Sequence, residues 1–141
     1  QMSAELVKAA IAAAGNAYAP YSNFHVGAAL LLDDGRIVTG SNFENASYGM
    51  TLCAETVAIA KASSDGQLLQ IVAIAVAGGP KDHVAASQDA VMPCGRCRQI
   101  IKEVADLTNR DLPVHCAKAD GYDTFNLSEL LPHGFGPASL K

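Results

Sequence analysis

Apolar and polar positions change period several times along the chain, and each change marks an element. Over residues 4–14, Leu6, Ala9, Ala10 and Ala13 recur at helical spacing, and Gly15-Asn16 stops the run. A turn over 19–23 leads to an apolar strand at 26–32. Asp33-Asp34-Gly35-Arg36 then turns the chain back into a second strand at 37–40. Residues 42–49 are polar and read as a loop, and 52–62 return to helical spacing through Leu52, Thr56, Ile59 and Ala60. The stretch 70–77 is apolar from Ile71 onward and ends at Gly78-Gly79-Pro80, the pattern of a central strand buried on both faces. After a partly ordered loop at 81–92, a third helix covers 95–105, with Ile100, Ile101 and Val104 on one side. Residues 113–117 read as a buried strand and 122–125 as a fifth. Asn126-Leu127-Ser128-Glu129 has the form of a capping box before a short last turn ending at Pro132. Strands and helices in this order describe one α/β layer domain with helices on both faces of its sheet.

Composition narrows the function. Half of the 141 residues are apolar and 17% are charged, too apolar for a disordered chain. The longest nearly apolar stretch, 71–79, falls well short of the ~20 residues that a spanning helix needs, so no membrane role is expected. With no charged-then-apolar leader at the start, the expected location is the cytoplasm. The net charge is −4 and no basic run exceeds two residues, which argues against a nucleic-acid polymer as partner. A small, weakly charged ligand fits better. Aromatics are only 6% and Ala is abundant, a composition that hints at apolar surface buried between subunits. Four cysteines in such a chain point to metal or catalytic roles.

The cysteine spacing carries the chemistry. Cys53-Ala54-Glu55 is followed by Pro93-Cys94-Gly95-Arg96-Cys97, and both groups fall at predicted helix starts. Partial positive charge there favours the thiolate, the form that binds metal. Three thiolates leave one of zinc's four positions open, the arrangement of a catalytic site; a structural site closes all four. Cys116 lies inside a predicted strand beside His115, whose side chain alternates to the other face, and reads as core; His25, His83 and His133 have no ligand spacing. Glu55, two residues from a ligand, can take a proton from a metal-activated water and pass it to a substrate.

Cys53-Ala54-Glu55 with Pro93-Cys94-Gly95-Arg96-Cys97 resembles the zinc-dependent cytidine deaminase superfamily. The segments 21–30, 42–49 and 130–137 resemble its small homotetrameric, free-nucleoside branch. The resemblance implies a single three-layer α/β/α domain over residues 2–141 with a mixed five-stranded sheet. It also implies one Zn²⁺ per chain on Cys53, Cys94 and Cys97, Glu55 as proton shuttle, and hydrolysis of cytidine and deoxycytidine to their uridine counterparts. By the same resemblance Phe24 stacks near the pyrimidine, Asn42 and Glu44 hold the ribose hydroxyls, and the Ala54 amide holds the base. Phe135 would reach a neighbouring subunit's site. Ordinary core packing is the competing reading for Phe24 and Phe135, and loop capping for Asn42 and Glu44.

One position departs from the pattern. This branch commonly carries Arg directly after the catalytic Glu, where the present chain has Thr56. Three thiolates on Zn²⁺ leave a net charge of about −1, and Arg96 is the expected substitute cation, donating to a ligand sulfur. Cys53-Ala54-Glu55-Thr56 with the segment 93–99 also resembles blasticidin S deaminases, which makes a modified or antibiotic cytosine nucleoside the alternative substrate. A non-enzymatic zinc staple would need no Glu55.

Overall fold

The computed structural model describes residues 2–141. Alternation along the inner strands decides which helix packs on which face. The strands are β1 (Phe24–Leu32), β2 (Ile37–Ser41), β3 (Ile71–Pro80), β4 (Pro113–Lys118) and β5 (Gly121–Asn126), in the order β2-β1-β3-β4-β5. The sheet is mixed: β3 pairs antiparallel with β1 and parallel with β4.

Side chains on successive strand residues point to opposite faces. Ala28, Leu30 and Leu32 of β1 and Ile74 and Val76 of β3 fall on one face. There they meet Ala58, Ile59 and Ala62 of α2 (Ala54–Ser64) and Ile101 and Val104 of α3 (Gly95–Thr108). Ala29 of β1 and Ala73, Ala75 and Ala77 of β3 fall on the other face, under Leu6, Val7 and Ala10 of α1 (Met2–Ala14). The result is the expected three-layer α/β/α architecture. The abundance of Ala has a local cause here: the small face lets α1 lie close. At Gly27 of β1 a Cβ would come within 2.0 Å of the Ala10 carbonyl oxygen, so only glycine fits beneath that helix.

Close approach also seats the helix that matters most. At Gly40 of β2 a Cβ would lie 2.6 Å from the Ala54 carbonyl oxygen and 2.6 Å from the Ala58 nitrogen. Gly40 thus fixes how deeply the first turn of α2 sits on the sheet.

Several boundaries differ from the sequence expectation. Helix α2 begins at Ala54, not at residue 52, because Leu52 exchanges backbone hydrogen bonds with Phe43. Strand β3 continues through Gly78 and Gly79, since these glycines pair with Val26 and His25. The loop that follows is held to the sheet by the Ala85 amide on the Gly78 carbonyl and the Ala119 amide on the Ser87 carbonyl. Asn126 caps α4 (Leu127–Leu130) with the full capping box, as the sequence predicts. The 3₁₀ turns at Tyr48–Met50, Leu68–Gln70 and Pro137–Leu140 are too short to leave a periodic signal.

Candidate active site

Cys53 and Cys94 are the N-cap residues of α2 and α3, and neither thiol caps its own helix. Both are therefore free to face a common point, and Cys97, one turn into α3, joins them from the buried side. The three sulfurs lie within 4.8 Å of one another, and Cys53 Sγ is 3.7 Å from Cys94 Sγ. Sulfurs on a tetrahedral zinc, with bonds near 2.3 Å, stand about 3.8 Å apart. The donor set fits the metal in number, type and spacing.

Electrostatics point the same way. Hydrogen bonding with the neighbouring Cys97 and Cys94 sulfurs pulls the Cys53 pKa down to about 6, helped by the charge of Arg96. The same crowding, with burial, pushes the Cys97 thiol up. Three sulfurs this close cannot all ionise alone; a divalent cation among them is what makes that possible. Cys53, Cys94 and Cys97 are the residues that would hold a Zn²⁺ cofactor here.

Glu55 is 3% exposed and sits in the first turn of α2 beside the thiols. Burial raises its pKa to about 7, and the Cys53 charge adds to the rise. A carboxyl in that range can both accept and return a proton near neutral pH. Cys116 lies behind it, fully buried in β4, and burial raises its thiol to about 11; this is the inert core cysteine that the sequence suggests.

A cavity of about 230 Å³ opens over these groups. Cys53, Ala54, Glu55 and Cys94 line one side, while Phe24, Val26 and Val76 form an apolar wall. Asn42 is at its edge, and Val91 and Met92 close it from the loop after β3. Those last two lie in an aperiodic segment, where no local pattern marks them. Phe24 owes its place to Gly78: a Cβ there would lie 3.0 Å from the Phe24 ring.

The remaining predicted residues are placed differently. Asn42 braces β1, accepting from the Val26 amide at 2.9 Å and donating to the Phe24 carbonyl at 2.9 Å. Glu44 accepts from the Tyr21 amide at 3.0 Å and from the amide and hydroxyl of Ser22, and the Ser22 hydroxyl chiefly holds its carboxyl below the usual range. It borders a neighbouring depression that shares Thr51 with the cavity. Loop bracing is thus real for both residues. Each keeps capacity in reserve: an amide nitrogen has two N–H groups and a carboxylate about four acceptor positions.

Phe135 is 59% exposed, outside its own chain's cavity. Arg96 is exposed and donates to the Thr51 carbonyl at 3.3 Å, not to a sulfur as the sequence suggested. The group beside a ligand sulfur is the Thr56 hydroxyl, 3.5 Å from Cys97. The sequence marked Thr56 only as a departure; its role depends on how α2 meets α3.

Comparison with known proteins agrees with this site. The family model described as "Cytidine and deoxycytidylate deaminase zinc-binding region" matches residues 1–109. A cytidine deaminase of Halalkalibacterium halodurans is 47% identical over 131 residues, covering 92% of this chain and 91% of the relative. One from Mycobacterium tuberculosis is 43% identical over 125 residues, covering 88% and 82%. The crystal structure of cytidine deaminase from Burkholderia pseudomallei superposes with a TM-score of 0.80 at 39% identity, covering 93% of this chain and 97% of that one.

Proposed function

The chain belongs to the cytidine and deoxycytidylate deaminase family, and from that membership we propose that it is a cytidine deaminase, hydrolysing cytidine and deoxycytidine to uridine and deoxyuridine with release of ammonia. The observation that carries this reading is Glu55: a carboxyl buried beside three clustered thiols at the wall of a nucleoside-sized cavity.

Zinc bound at Cys53, Cys94 and Cys97 supplies Lewis-acid activation of a water at neutral pH. Glu55 takes a proton from the attacking water and places it on ring N3 as oxygen bonds to C4. It then relays the second proton to the exocyclic amine while the C4–N bond breaks, so that ammonia leaves and the base becomes a uracil. A carboxyl with its pKa held up by burial suits both transfers. Phe24 and the valine wall pack on the pyrimidine and exclude bulk water. The Ala54 amide, at the first position of α2, has no partner within the helix and is available to the base. The spare N–H of Asn42 and the spare acceptor position of Glu44 are assigned to the ribose hydroxyls.

Residues 2–141 act in this reading as one catalytic domain, working in the cytoplasm with a free nucleoside, not a polymer, as substrate. Homotetramer assembly is supported by the exposed aromatics ahead of α2, where Tyr18 pairs with Phe43 and Tyr21 with Tyr48, 74% exposed. Phe135, exposed and away from its own cavity, is assigned to a neighbour's site.

The test is ultraviolet-monitored turnover of cytidine, deoxycytidine and blasticidin S, with metal analysis and Glu55→Gln alongside. Cytidine nucleosides should be deaminated with about one zinc per chain, and Glu55→Gln should keep zinc while losing roughly 10²–10⁴-fold in turnover. Turnover of blasticidin S alone would move the substrate and keep the mechanism. Full zinc with no turnover of any of the three would overturn the nucleoside assignment.

A further inference from the structure

Arg98 and Gln99 directly follow the last thiol of α3, and their side chains bind the C-terminal part of the chain. Arg98 Nε donates to the Pro93 carbonyl at 2.8 Å, and its Nη1 donates to the Leu130 carbonyl at 3.0 Å. Pro93 is fully buried and immediately precedes Cys94; Leu130 is the last residue of α4. One half-buried guanidinium thus ties the turn that aims Cys94 to the start of the tail. Gln99 Nε2 adds a second tie, donating to the Phe135 carbonyl at 2.7 Å. The tail crosses α3 closely here, since a Cβ at Gly136 would come within 2.3 Å of the Asp106 carboxylate.

The Pro93 carbonyl lies ahead of α3, whose hydrogen-bond ladder starts with the Cys94 carbonyl accepting from the Arg98 amide. The side chain of Arg98 therefore supplies what the helix cannot, through charge-assisted bonds stronger than neutral ones. Its planar fork reaches two carbonyls in different directions, which a lysine ammonium cannot match.

We propose that Arg98 is a positioning residue that couples zinc retention to the order of the C-terminal tail. If tail docking steadies Cys94, zinc loading must steady the tail to the same extent, because coupling between two equilibria is reciprocal. The inference rests on zinc occupying the three thiols.

Two readouts on the zinc-loaded protein test it: the rate of zinc transfer to a chromophoric chelator, and hydrogen exchange over residues 131–140 with and without zinc. Arg98→Leu should release zinc about tenfold faster or more and should abolish the zinc-dependent slowing of tail exchange. Arg98→Lys should recover part of both. Gln99→Ala, which loses the second tie, should speed exchange near Phe135 and raise zinc release less than Arg98→Leu does. Arg110→Leu is the control for general destabilisation, since Arg110 lies beyond the far end of α3 and donates to the carbonyls of Leu69 and Ile71. It should alter neither readout.

Zinc release from Arg98→Leu within twofold of wild type would overturn the tether, as would equal acceleration by Arg110→Leu. A wild-type protein that holds no zinc would overturn the metal site itself, and this inference with it.

Discussion

The Thr56 hydroxyl lies 3.5 Å from Cys97 Sγ, bridging α2 to the most buried of the three ligand thiols. Thr56 follows Glu55 directly, so one helical turn presents both the proposed proton carrier and a hydroxyl beside a sulfur of the cysteine cluster. A neutral hydroxyl does not cancel the charge of a three-thiolate site, but a hydrogen bond draws electron density from the sulfur and fixes its direction. Arg96, which sequence spacing favours for this role, holds the Thr51 carbonyl and acts on the site only through its charge on Cys53.

Thr56→Val keeps the shape and removes the donor. It should weaken zinc affinity about tenfold, whereas Thr56→Ser should stay close to wild type. Arg96→Ala should change affinity less than Thr56→Val does. Competition against a chelator of known affinity orders the three variants, and a larger loss from Arg96→Ala would return the role to the arginine.

Gly78 sets the floor beneath Phe24. An added Cβ would stand 3.0 Å from the Phe24 ring, 3.3 Å from Val91 and 3.4 Å from Val26, all of which line the cavity. Gly78→Ala should tilt Phe24 into the space for the base, raising KM several-fold while zinc content stays whole. The backbone at Gly78 is not left-handed, so the stability cost should stay within the ~1–3 kcal/mol of ordinary overpacking. Unchanged KM would mean that Phe24 does not contact substrate.

Gly40→Ala should do more damage. Its Cβ would meet backbone of α2 at 2.6 Å, and backbone cannot swing aside as a side chain can. The first turn carrying Cys53 and Glu55 would have to lift from the sheet. Loss of zinc as well as a lower melting temperature is expected. Gly27→Ala, which presses on α1 instead, should lower the melting temperature with far less effect on zinc. Metal analysis of both purified variants separates the two faces.

His115 makes stability depend on pH. It is buried, its Nδ1 lies 2.8 Å from the Thr124 hydroxyl, and Tyr122 packs edge-on against its ring and reaches Ser3 at 2.8 Å. Burial lowers its pKa, so the unfolded chain takes up a proton at about pH 6.5 while the folded chain does so only at lower pH. Between those points the unfolded state holds more protons, and stability falls as pH falls. In metal-free protein Glu55, raised to about 7, acts with the opposite sign in an overlapping range, but it does so in wild type and variant alike. Melting curves from pH 7.5 to 5 should therefore show a smaller acid loss for His115→Gln than for wild type. Parallel curves would remove His115 from the account.

Much of this molecule was decided locally, and the sequence alone determined that much. The helical spacing around Leu6, the apolar run ending at Gly78 and the capping box at Asn126 each act within a few residues, so the elements were legible with boundaries off by a few positions. The cysteine cluster was legible for a similar reason. Cys53 and Cys94 sit at helix starts that the sequence marks, and Cys97 follows Cys94 by one turn.

Contacts between segments far apart in the chain were settled by packing instead. Which donor meets Cys97 depends on the approach of α2 to α3, and Arg98 finds Pro93 and Leu130 only once α4 is docked. Asn42 braces the start of β1 and Glu44 the turn ahead of it, with partners that no spacing announces, and Val91 and Met92 reach the cavity from a loop without period. Periodicity reports the face that a residue shares with its own element; the partner across the gap is set by packing, which no local pattern records.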